Sequence, residues 1–339
     1  MKGLHSVKPN ILTELDITEG FDKTIESKVK ITKALVTMQD VLHFTGENRV
    51  ENIVLGSYGI GVISEAGNNL FDLEKGTRVY IEPEKQCGKC FNCKLGETNK
   101  CSDIQIAGED YHGFLRDFAT AESSKIFSLP ESVSDFEALF IGKISIALSI
   151  INSLNIEKGD HIAIIGGTTL GIILAELLIY YQAVPILIDS NKENIEIAKK
   201  SGVYYTLSDD EKWIKDVTSI TGGRMAKGVV YLTDSNIAVK TAFNVASFKA
   251  PIVFSGTSHR NCTFSFLTAL KKQLVIMFIN NGFSNTASSI NLLANKALDF
   301  TYLKVNKESY SSIATKFKAL AKDVANDEPI TDTVVDMLK

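Results

Sequence analysis

The stretch HIAIIGGTTLGIILAELLIYYQAVPILID, residues 161–189, decides how the chain folds. Apolar residues run through 161–165 and again through 184–189, and both runs have the length of a buried strand. The segment between them, 169–181, is long enough for a helix and follows a glycine-rich turn. This order predicts a strand, a turn, a helix and a second strand, which together form the basic unit of a parallel sheet.

The same run is apolar enough to suggest a membrane-spanning helix as an alternative. Glu176, Gln182 and Pro185 interrupt it, and membrane spans tolerate charged residues poorly. We therefore favour a buried unit of a soluble protein. The first residues, MKGLHSVKPN, lack the apolar core of a signal peptide, so we expect a cytoplasmic protein with no membrane partner.

Strands and helices keep alternating through residues 192–279, which predicts a doubly wound parallel sheet. Before residue 134 the pattern differs, because short apolar runs alternate with Gly, Asn and Asp. That pattern indicates a small β barrel or sandwich, and we predict no helix there. A helix is predicted over 135–154 with Ser134 as its N-cap, and two amphipathic helices are predicted near 284–296 and 308–325.

The turn IIGGTTLG, residues 164–171, stands where a dinucleotide-binding fold needs G-x-G-x-x-G. Gly166 and Gly171 fill the first and third glycine positions, and Thr168 fills the second. Gly167 could relax the turn, and the threonine hydroxyls could donate hydrogen bonds to a phosphate. The candidate cofactor-binding residues of the turn are Gly166, Gly167, Thr168, Thr169, Leu170 and Gly171.

Asp189 ends the second strand, 23 residues after Gly166. An acidic residue at this place hydrogen-bonds the adenosine ribose and repels a 2′-phosphate, so it favours NAD over NADP. Lys192 nearby keeps NADP as an alternative. Thr168 leaves a further alternative open, namely a doubly wound fold that has lost its cofactor.

The stretch CGKCFNCKLGETNKC, residues 87–101, carries four of the five cysteines of the chain. The spacing C-x2-C-x2-C-x7-C suits tetrahedral zinc, and in a reducing compartment clustered thiols favour metal over disulfides. Four thiolates leave no open coordination position, so a zinc held there is structural.

The 339 residues exceed one ordinary core and fit two domains. Hydrophobic residues make up 45% and charged residues 22%, as in a soluble globular protein. The formal net charge is -4 and no Lys/Arg block stands out, so we expect no nucleic-acid partner.

Together these elements resemble the medium-chain dehydrogenase/reductase superfamily, and within it the zinc-type alcohol, polyol and threonine dehydrogenases. The resemblance covers nearly the whole chain. Besides the cysteine lobe and the nucleotide turn, it rests on GSYGIGVISEAG (56–67), KGTRVYIEP (75–83), YHGFLRDF (111–118) and LIDSNKENIEIAKKSG (187–202).

The resemblance implies an α/β protein with a β-rich GroES-like barrel domain over 1–134 and 281–339 and a doubly wound Rossmann domain over 135–280. It also implies a homodimer or homotetramer, with QLVIMFI (273–279) as a candidate edge strand. The structural zinc would be held by Cys87, Cys90, Cys93 and Cys101.

Zinc-type members of the superfamily hold a second, catalytic zinc. Its ligands are a Cys three residues before an Asp, the His of a Gly-His-Glu, and a Glu or Cys in the helix that opens the cofactor domain. Here these positions carry Thr37, Ser57 and Gly142, none of which supplies a thiolate, imidazole or carboxylate. The catalytic zinc is therefore expected to be absent. Substitute ligands are an alternative, although they show no recognisable ligand spacing: Asp40, His43, Glu65 and His112.

Without that zinc, another group must stabilise the substrate oxygen. Tyr58 and Lys143 stand next to lost ligand positions, and a phenol beside an ammonium group has a lowered pKa and can donate to an oxyanion. Thr37 and Ser57 could add hydrogen bonds. The candidate catalytic residues are Thr37, Tyr58 and Lys143; alternatively, they only fill the space that the metal left.

Three functions are compatible with these residues. The first is an NAD(H)-dependent oxidoreductase acting on a small alcohol, ketone or enone, with zinc in the structural lobe alone. It resembles the zinc-free reductases of quinones and enones, although those usually lack the cysteine lobe. The second is a catalytically inactive nucleotide-binding or scaffold protein of the same fold. The third is an active zinc enzyme with rearranged ligands.

Overall fold

The computed structural model describes residues 1–47, 51–67, 73–208, 210, 212–233, 236–256, 263–326 and 328–338. Its strands are β1 (Lys2–Lys8), β2 (Ile11–Asp16), β3 (Glu26–Val36), β4 (Ile53–Val54), β5 (Tyr58–Glu65), β6 (Arg78–Ile81), β7 (Glu84–Lys85), β8 (Gln105–Ile106), β9 (Phe118–Glu122), β10 (Ile126–Ser128), β11 (His161–Ile165), β12 (Val184–Asp189), β13 (Tyr205–Ser208), β14 (Gly228–Tyr231), β15 (Pro251–Ser255), β16 (Val275–Ile279), β17 (Asn306–Ser309) and β18 (Thr333–Asp336). Its α-helices are α1 (Met38–Thr45), α2 (Phe91–Lys94), α3 (Asp135–Ala138), α4 (Ile141–Leu154), α5 (Thr169–Tyr180), α6 (Lys192–Lys200), α7 (Trp213–Ile220), α8 (Asn236–Val245), α9 (Phe266–Lys272), α10 (Thr286–Ala294) and α11 (Ile313–Ala325).

The chain forms two compact units. The first comprises Met1–Gly142, Thr286–Ala294 and Lys304–Lys339, and the second comprises Lys143–Asn285 and Asn295–Leu303. These bounds differ from the expected ones in three places. Residues 135–142 lie in the first unit, and residues 281–285 and 295–303 lie in the second. The predicted helix 135–154 is two helices, α3 and α4.

The second unit is built on a six-stranded parallel sheet of order β13-β12-β11-β14-β15-β16. Ile162–Ile165 of β11 are all buried, as expected for a central strand covered on both faces. Helix α5 is buried along most of its length, which explains the apolar run from 161 to 189. In the described part of the chain, no helix is long and apolar enough to cross a membrane.

Strand β16 lies at one edge of this sheet, as the sequence suggested, and Val275 and Phe278 are exposed on it. Helix α9 was not predicted; it precedes β16 and also exposes Phe266. The homodimer or homotetramer stays a prediction, which sedimentation velocity would test; a monomer at micromolar concentration would contradict it.

The first unit contains a seven-stranded sheet of order β10-β6-β5-β3-β18-β17, with β9 also paired to β3. Strand β18 pairs antiparallel with β3, so the C-terminal segment completes the sheet that the N-terminal segment begins. A second sheet, β2-β1-β4, is formed by an N-terminal hairpin and a short third strand. The predicted β-rich domain is therefore confirmed.

The prediction that no helix precedes residue 134 was wrong. Helix α1 starts after Thr37 and ends at Gly46, which has a left-handed φ of 98°. Asp40 accepts a hydrogen bond from the Thr37 backbone N–H at 2.8 Å and so satisfies an otherwise unpaired donor at the start of the helix. The pattern Thr-Met-Gln-Asp has the form of a capping box with Asp in place of Glu, and this signal was missed in the sequence.

A buried polar triad joins three segments of the first unit. Glu82 accepts hydrogen bonds from the Lys125 ammonium at 2.7 Å and from the Thr286 hydroxyl at 2.6 Å. All three residues are buried, so the charges are paired and hydrogen-bonded as burial requires. The triad fixes the start of α10 to the strands of the seven-stranded sheet.

Candidate functional site

The glycine turn links β11 to α5 in the second unit. Gly166 lies directly after β11 with φ 112°, and its N–H donates to the carbonyl of Ile188 at 2.9 Å. Thr168 is the N-cap of α5, where its hydroxyl accepts the N–H of Gly171 at 3.3 Å. The residue is exposed, and the hydroxyl hydrogen is still available to donate to a ligand. Thr169 and Leu170 form the first turn of α5 together with Gly171.

Asp189 ends β12 and its carboxylate faces this turn. Its Oδ2 accepts the N–H of Gly167 at 2.5 Å, and its Oδ1 accepts the N–H of Asn191 at 2.6 Å. A Cβ at Gly167 would lie 3.0 Å from Oδ2, so a side chain there would require Asp189 to shift by a few tenths of an ångström. A helix N-terminus, a close glycine turn and a half-buried carboxylate fit a dinucleotide, so these residues are suited to hold one.

The four clustered cysteines meet at one point of the first unit. Their Sγ atoms all lie within 4.8 Å of one another, with Cys90 to Cys101 at 4.0 Å and Cys101 to Cys87 at 3.6 Å. Four ligands at Zn–S distances of about 2.3 Å are separated by about 3.8 Å in a tetrahedron. The cysteine cluster therefore has the size and donor set of a closed zinc site.

Backbone N–H groups point at these sulfurs. Cys87 and Asp103 donate to Cys101 Sγ at 3.4 Å each, and Cys93 donates to Cys90 Sγ at 3.5 Å. The hydrogen bond from the Cys93 backbone is the main cause that lowers the pKa of Cys90 to about 5. Strands β7 and β8, which flank the cysteines in sequence, pair antiparallel with each other. Donors that favour the thiolate also favour metal binding.

Two of the three positions expected to carry catalytic-zinc ligands, Thr37 and Ser57, meet at Asp40 in the first unit. The Thr37 and Ser57 hydroxyls are 2.9 Å apart, and Ser57 Oγ donates to Asp40 Oδ2 at 2.6 Å. The Gly56 N–H donates to Asp40 Oδ1 at 2.7 Å. Because the single proton of Ser57 goes to Asp40, Thr37 is the donor in the contact between the two hydroxyls.

Asp40 is fully buried, and these donors are all neutral. Burial raises the pKa of its carboxyl, while the hydrogen bonds from Ser57, Thr37 and Gly56 oppose that rise. Thr37 and Ser57 are each only 8% exposed. The chain thus has a hydrogen-bonded group of two hydroxyls and a carboxylate at positions where the family resemblance implies metal ligands, and hydroxyls are poor zinc ligands.

Gly142, at the third ligand position, lies against the ring of Tyr58. A Cβ there would be 2.0 Å from Tyr58 Cε1 and 2.9 Å from Cζ. The Tyr58 ring therefore occupies the volume into which a side chain at position 142 would extend. The residues at these positions do not fit a catalytic zinc.

The expected lowering of the Tyr58 pKa is wrong. Burial raises the pKa of this phenol, and Glu84, Asp332 and Asp40 raise it further. The phenol is therefore neutral at neutral pH, so it can donate a hydrogen bond but does not act as a ready proton carrier. Lys143 is half-buried in α4, and its catalytic role stays a prediction.

The substitute ligands do not assemble. Within the described ranges, the cysteines form the only group of three or more His, Cys, Asp or Glu side chains that could hold a metal. His112 Nδ1 accepts the N–H of Val54 at 3.1 Å, and Glu65 pairs with Lys23. His43 is buried in α1, and burial lowers its pKa.

Comparison with known proteins agrees with both units. Residues 23–131 match the family model for the alcohol dehydrogenase GroES-like domain, and residues 169–295 match that for zinc-binding dehydrogenase. An uncharacterized zinc-type alcohol dehydrogenase-like protein of Haemophilus influenzae is 27% identical over 265 residues, covering 76% of each chain. The starvation-sensing protein RspB of Escherichia coli is 25% identical over 262 residues, covering 76% of this chain and 77% of RspB.

Among solved structures, short chain alcohol dehydrogenase (rspB) from Escherichia coli CFT073, complexed with NADH, superposes with a TM-score of 0.86. It is 21% identical and covers 99% of both chains, a likeness that establishes the fold. Fold and comparisons together define a two-domain dehydrogenase of the zinc-type alcohol dehydrogenase class. The chain belongs to the medium-chain dehydrogenase/reductase superfamily of oxidoreductases.

The contact between Tyr58 and Gly142 leads to a testable prediction. Gly142→Ala should destabilise the protein by about 1–3 kcal/mol, because the added methyl overlaps the Tyr58 ring. Helix propensity alone would predict that Gly142→Ala stabilises the protein, by about 0.5–1 kcal/mol. Denaturant titration measures the free energy of unfolding.

Two controls isolate the contact. In a Tyr58→Ala background, Gly142→Ala should cost nothing, because the ring is gone. Gly20→Ala should be neutral in either background, since a Cβ there meets nothing within 4 Å. An equal cost of Gly142→Ala with and without the ring would contradict the assignment.

Proposed function

We propose that this chain is an NAD(H)-dependent oxidoreductase of the zinc-containing alcohol dehydrogenase type, in which zinc is structural only. It transfers a hydride to or from a small alcohol, ketone or enone. In alcohol oxidation, the C–H electron pair leaves with the hydrogen and the O–H proton is released. The bound nicotinamide supplies the hydride acceptor or donor, and the residues of the chain bind it and stabilise the substrate oxygen.

The observation that carries this proposal is the group formed by Thr37, Ser57 and Asp40. A zinc would polarise the substrate oxygen as a Lewis acid. In its place the chain has two hydroxyls that are oriented by a buried carboxylate. The Thr37 hydroxyl can turn its proton from Ser57 Oγ to a developing oxyanion, while the Ser57 proton stays on Asp40.

Tyr58 is the second proposed source of stabilisation for the substrate oxygen. Its raised pKa keeps the phenol protonated, so it can donate a hydrogen bond throughout the neutral range. Lys143 is the proposed cationic group. Thr37, Tyr58 and Lys143 remain the proposed catalytic residues.

Cofactor binding is the first test of this function. Titration with NADH, followed by nicotinamide fluorescence, should give micromolar affinity, and NADPH should bind much more weakly because its 2′-phosphate meets the Asp189 carboxylate. The same preparation should then transfer hydride to carbonyl or enone compounds in the presence of a strong chelator. Absence of binding of either cofactor up to millimolar concentration would exclude the proposal.

Zinc content is predicted to be one equivalent per chain, held by the cysteine lobe. Elemental analysis of the purified protein measures it. Cys101→Ser should lose the metal, because its thiolate is one of four ligands in a closed site. Cys262→Ser is the matched control and should keep one equivalent. Two equivalents in the wild type would indicate a second metal site and contradict a purely structural zinc.

Tyr58→Phe tests the proposed hydrogen-bond donor with the ring packing retained. The variant should keep NADH affinity and lower kcat by roughly 10²–10³-fold, as expected for loss of one oxyanion donor. Its stability should be close to that of the wild type, since the contact with Gly142 involves only ring carbons. An unchanged kcat would remove Tyr58 from the mechanism.

A catalytically inactive nucleotide-binding or scaffold protein is the second candidate function. It is favoured by Thr168 in the second glycine position of the turn and by the loss of all three metal ligands. Cofactor binding without hydride transfer to any carbonyl, alcohol or enone tested would support this candidate over the first.

A further inference from the structure

We propose that Asn194 is a positioning residue that makes the nucleotide site selective for NAD(H) over NADP(H), by holding the Asp189 carboxylate against the glycine turn. The inference rests on the proposed NAD(H) function and adds to it a residue outside the glycine turn. Asn194 lies in the first turn of α6, two residues after the helix begins at Lys192.

The geometry of the Asp189 carboxylate carries the proposal. Oδ2 accepts the Gly167 N–H at 2.5 Å and the Asn194 side-chain amide at 3.1 Å. Oδ1 accepts the Asn191 N–H at 2.6 Å. A carboxylate offers about four acceptor sites, so these three donors leave about one site for a ribose hydroxyl.

Asn194 is the side-chain donor in this set. The other two donors are backbone N–H groups, which substitution of a side chain leaves in place. The Asn194 side chain also packs against the turn, because a Cβ built on Gly167 would lie 3.0 Å from Asn194 Cβ. Asn194 therefore fixes the orientation of the Asp189 carboxylate and keeps that carboxylate close to the glycine turn.

The donors are all neutral, so they fix the carboxylate without cancelling its charge. A fixed negative charge accepts a hydrogen bond from a ribose hydroxyl at little cost in reorganisation, and it repels a 2′-phosphate. Lys192 begins the same helical turn, and its positive charge works against this repulsion. A carboxylate that could rotate away would lose part of both effects, so the selectivity depends on the donor that holds it.

The experiment measures the dissociation constants of the zinc-loaded full chain for NADH and NADPH by fluorescence. In Asn194→Ala, NADH should bind roughly three- to tenfold more weakly, the effect of losing one hydrogen bond. The affinity for NADPH should be unchanged or higher, because the Asp189 carboxylate can then move away from the 2′-phosphate. The ratio of the NADPH constant to the NADH constant should therefore fall by at least the same factor.

Asn191→Ala is the matched control. The Asn191 side chain accepts the Glu193 N–H at 2.9 Å and caps α6, while its backbone N–H holds Asp189 Oδ1. This variant loses the same amide group and should melt at a lower temperature, but its NADPH/NADH ratio should stay at the wild-type value. A ratio that falls as far as in Asn194→Ala would trace the effect to the start of α6 and overturn the proposal.

A double variant separates positioning from direct contact. If Asn194 acts through Asp189, adding Asn194→Ala to Asp189→Ala should leave the ratio unchanged. A further fall would assign Asn194 its own contact with the cofactor and overturn the positioning role. A wild type that prefers NADH, together with an unchanged ratio in Asn194→Ala, would overturn this inference and leave the proposed function intact. A wild type that binds neither cofactor would overturn both.

Discussion

The buried carboxylate of Asp40 is the constraint on which the candidate site of the first unit depends. Removing an ionised carboxylate from water is costly unless hydrogen-bond donors replace the water. Thr37 and Ser57 supply these donors together with the Gly56 N–H, and they come from the start of α1 and from the turn before β5. Asp40 therefore caps a helix and fixes two hydroxyls with one side chain. Its burial among neutral groups keeps the carboxyl pKa raised.

The residues at the three positions expected to hold a catalytic zinc pack against one another or against Tyr58. The hydroxyls of Thr37 and Ser57 bond to each other and thereby satisfy groups that a metal would otherwise engage. The Tyr58 ring fills the volume above Gly142, which in turn must lack a side chain. A ligand side chain at position 142 would overlap the Tyr58 ring, so it could be accommodated only if that ring moved. This interdependence favours a stable alternative arrangement over a damaged zinc site.

The sequence was sufficient for the parts of the fold that long apolar runs determine. Strands β11 and β12 and the helix between them were predicted because burial requires continuous apolar segments. Helix α1 was missed because eight residues give too short a periodic pattern, although its capping signal was present. The contact of Tyr58 with Gly142 joins distant segments that no local pattern connects. The direction of the Tyr58 pKa was wrong because it depends on burial and on carboxylates from three separate segments.

Two carboxylates in this chain, those of Asp40 and Asp189, are each held by neutral hydrogen-bond donors, and they differ in their exposure to solvent. At Asp40 neutral donors satisfy a carboxylate that is fully buried, so solvent screens its charge little. At Asp189 three neutral donors hold a carboxylate that is half-buried, so part of its acceptor capacity and all of its charge remain available. Donors that carried a positive charge would have neutralised both groups. Neutral donors fix a carboxylate in place while preserving its field, which is what the proposed orientation of hydroxyls in one unit and the proposed discrimination against a 2′-phosphate in the other both require.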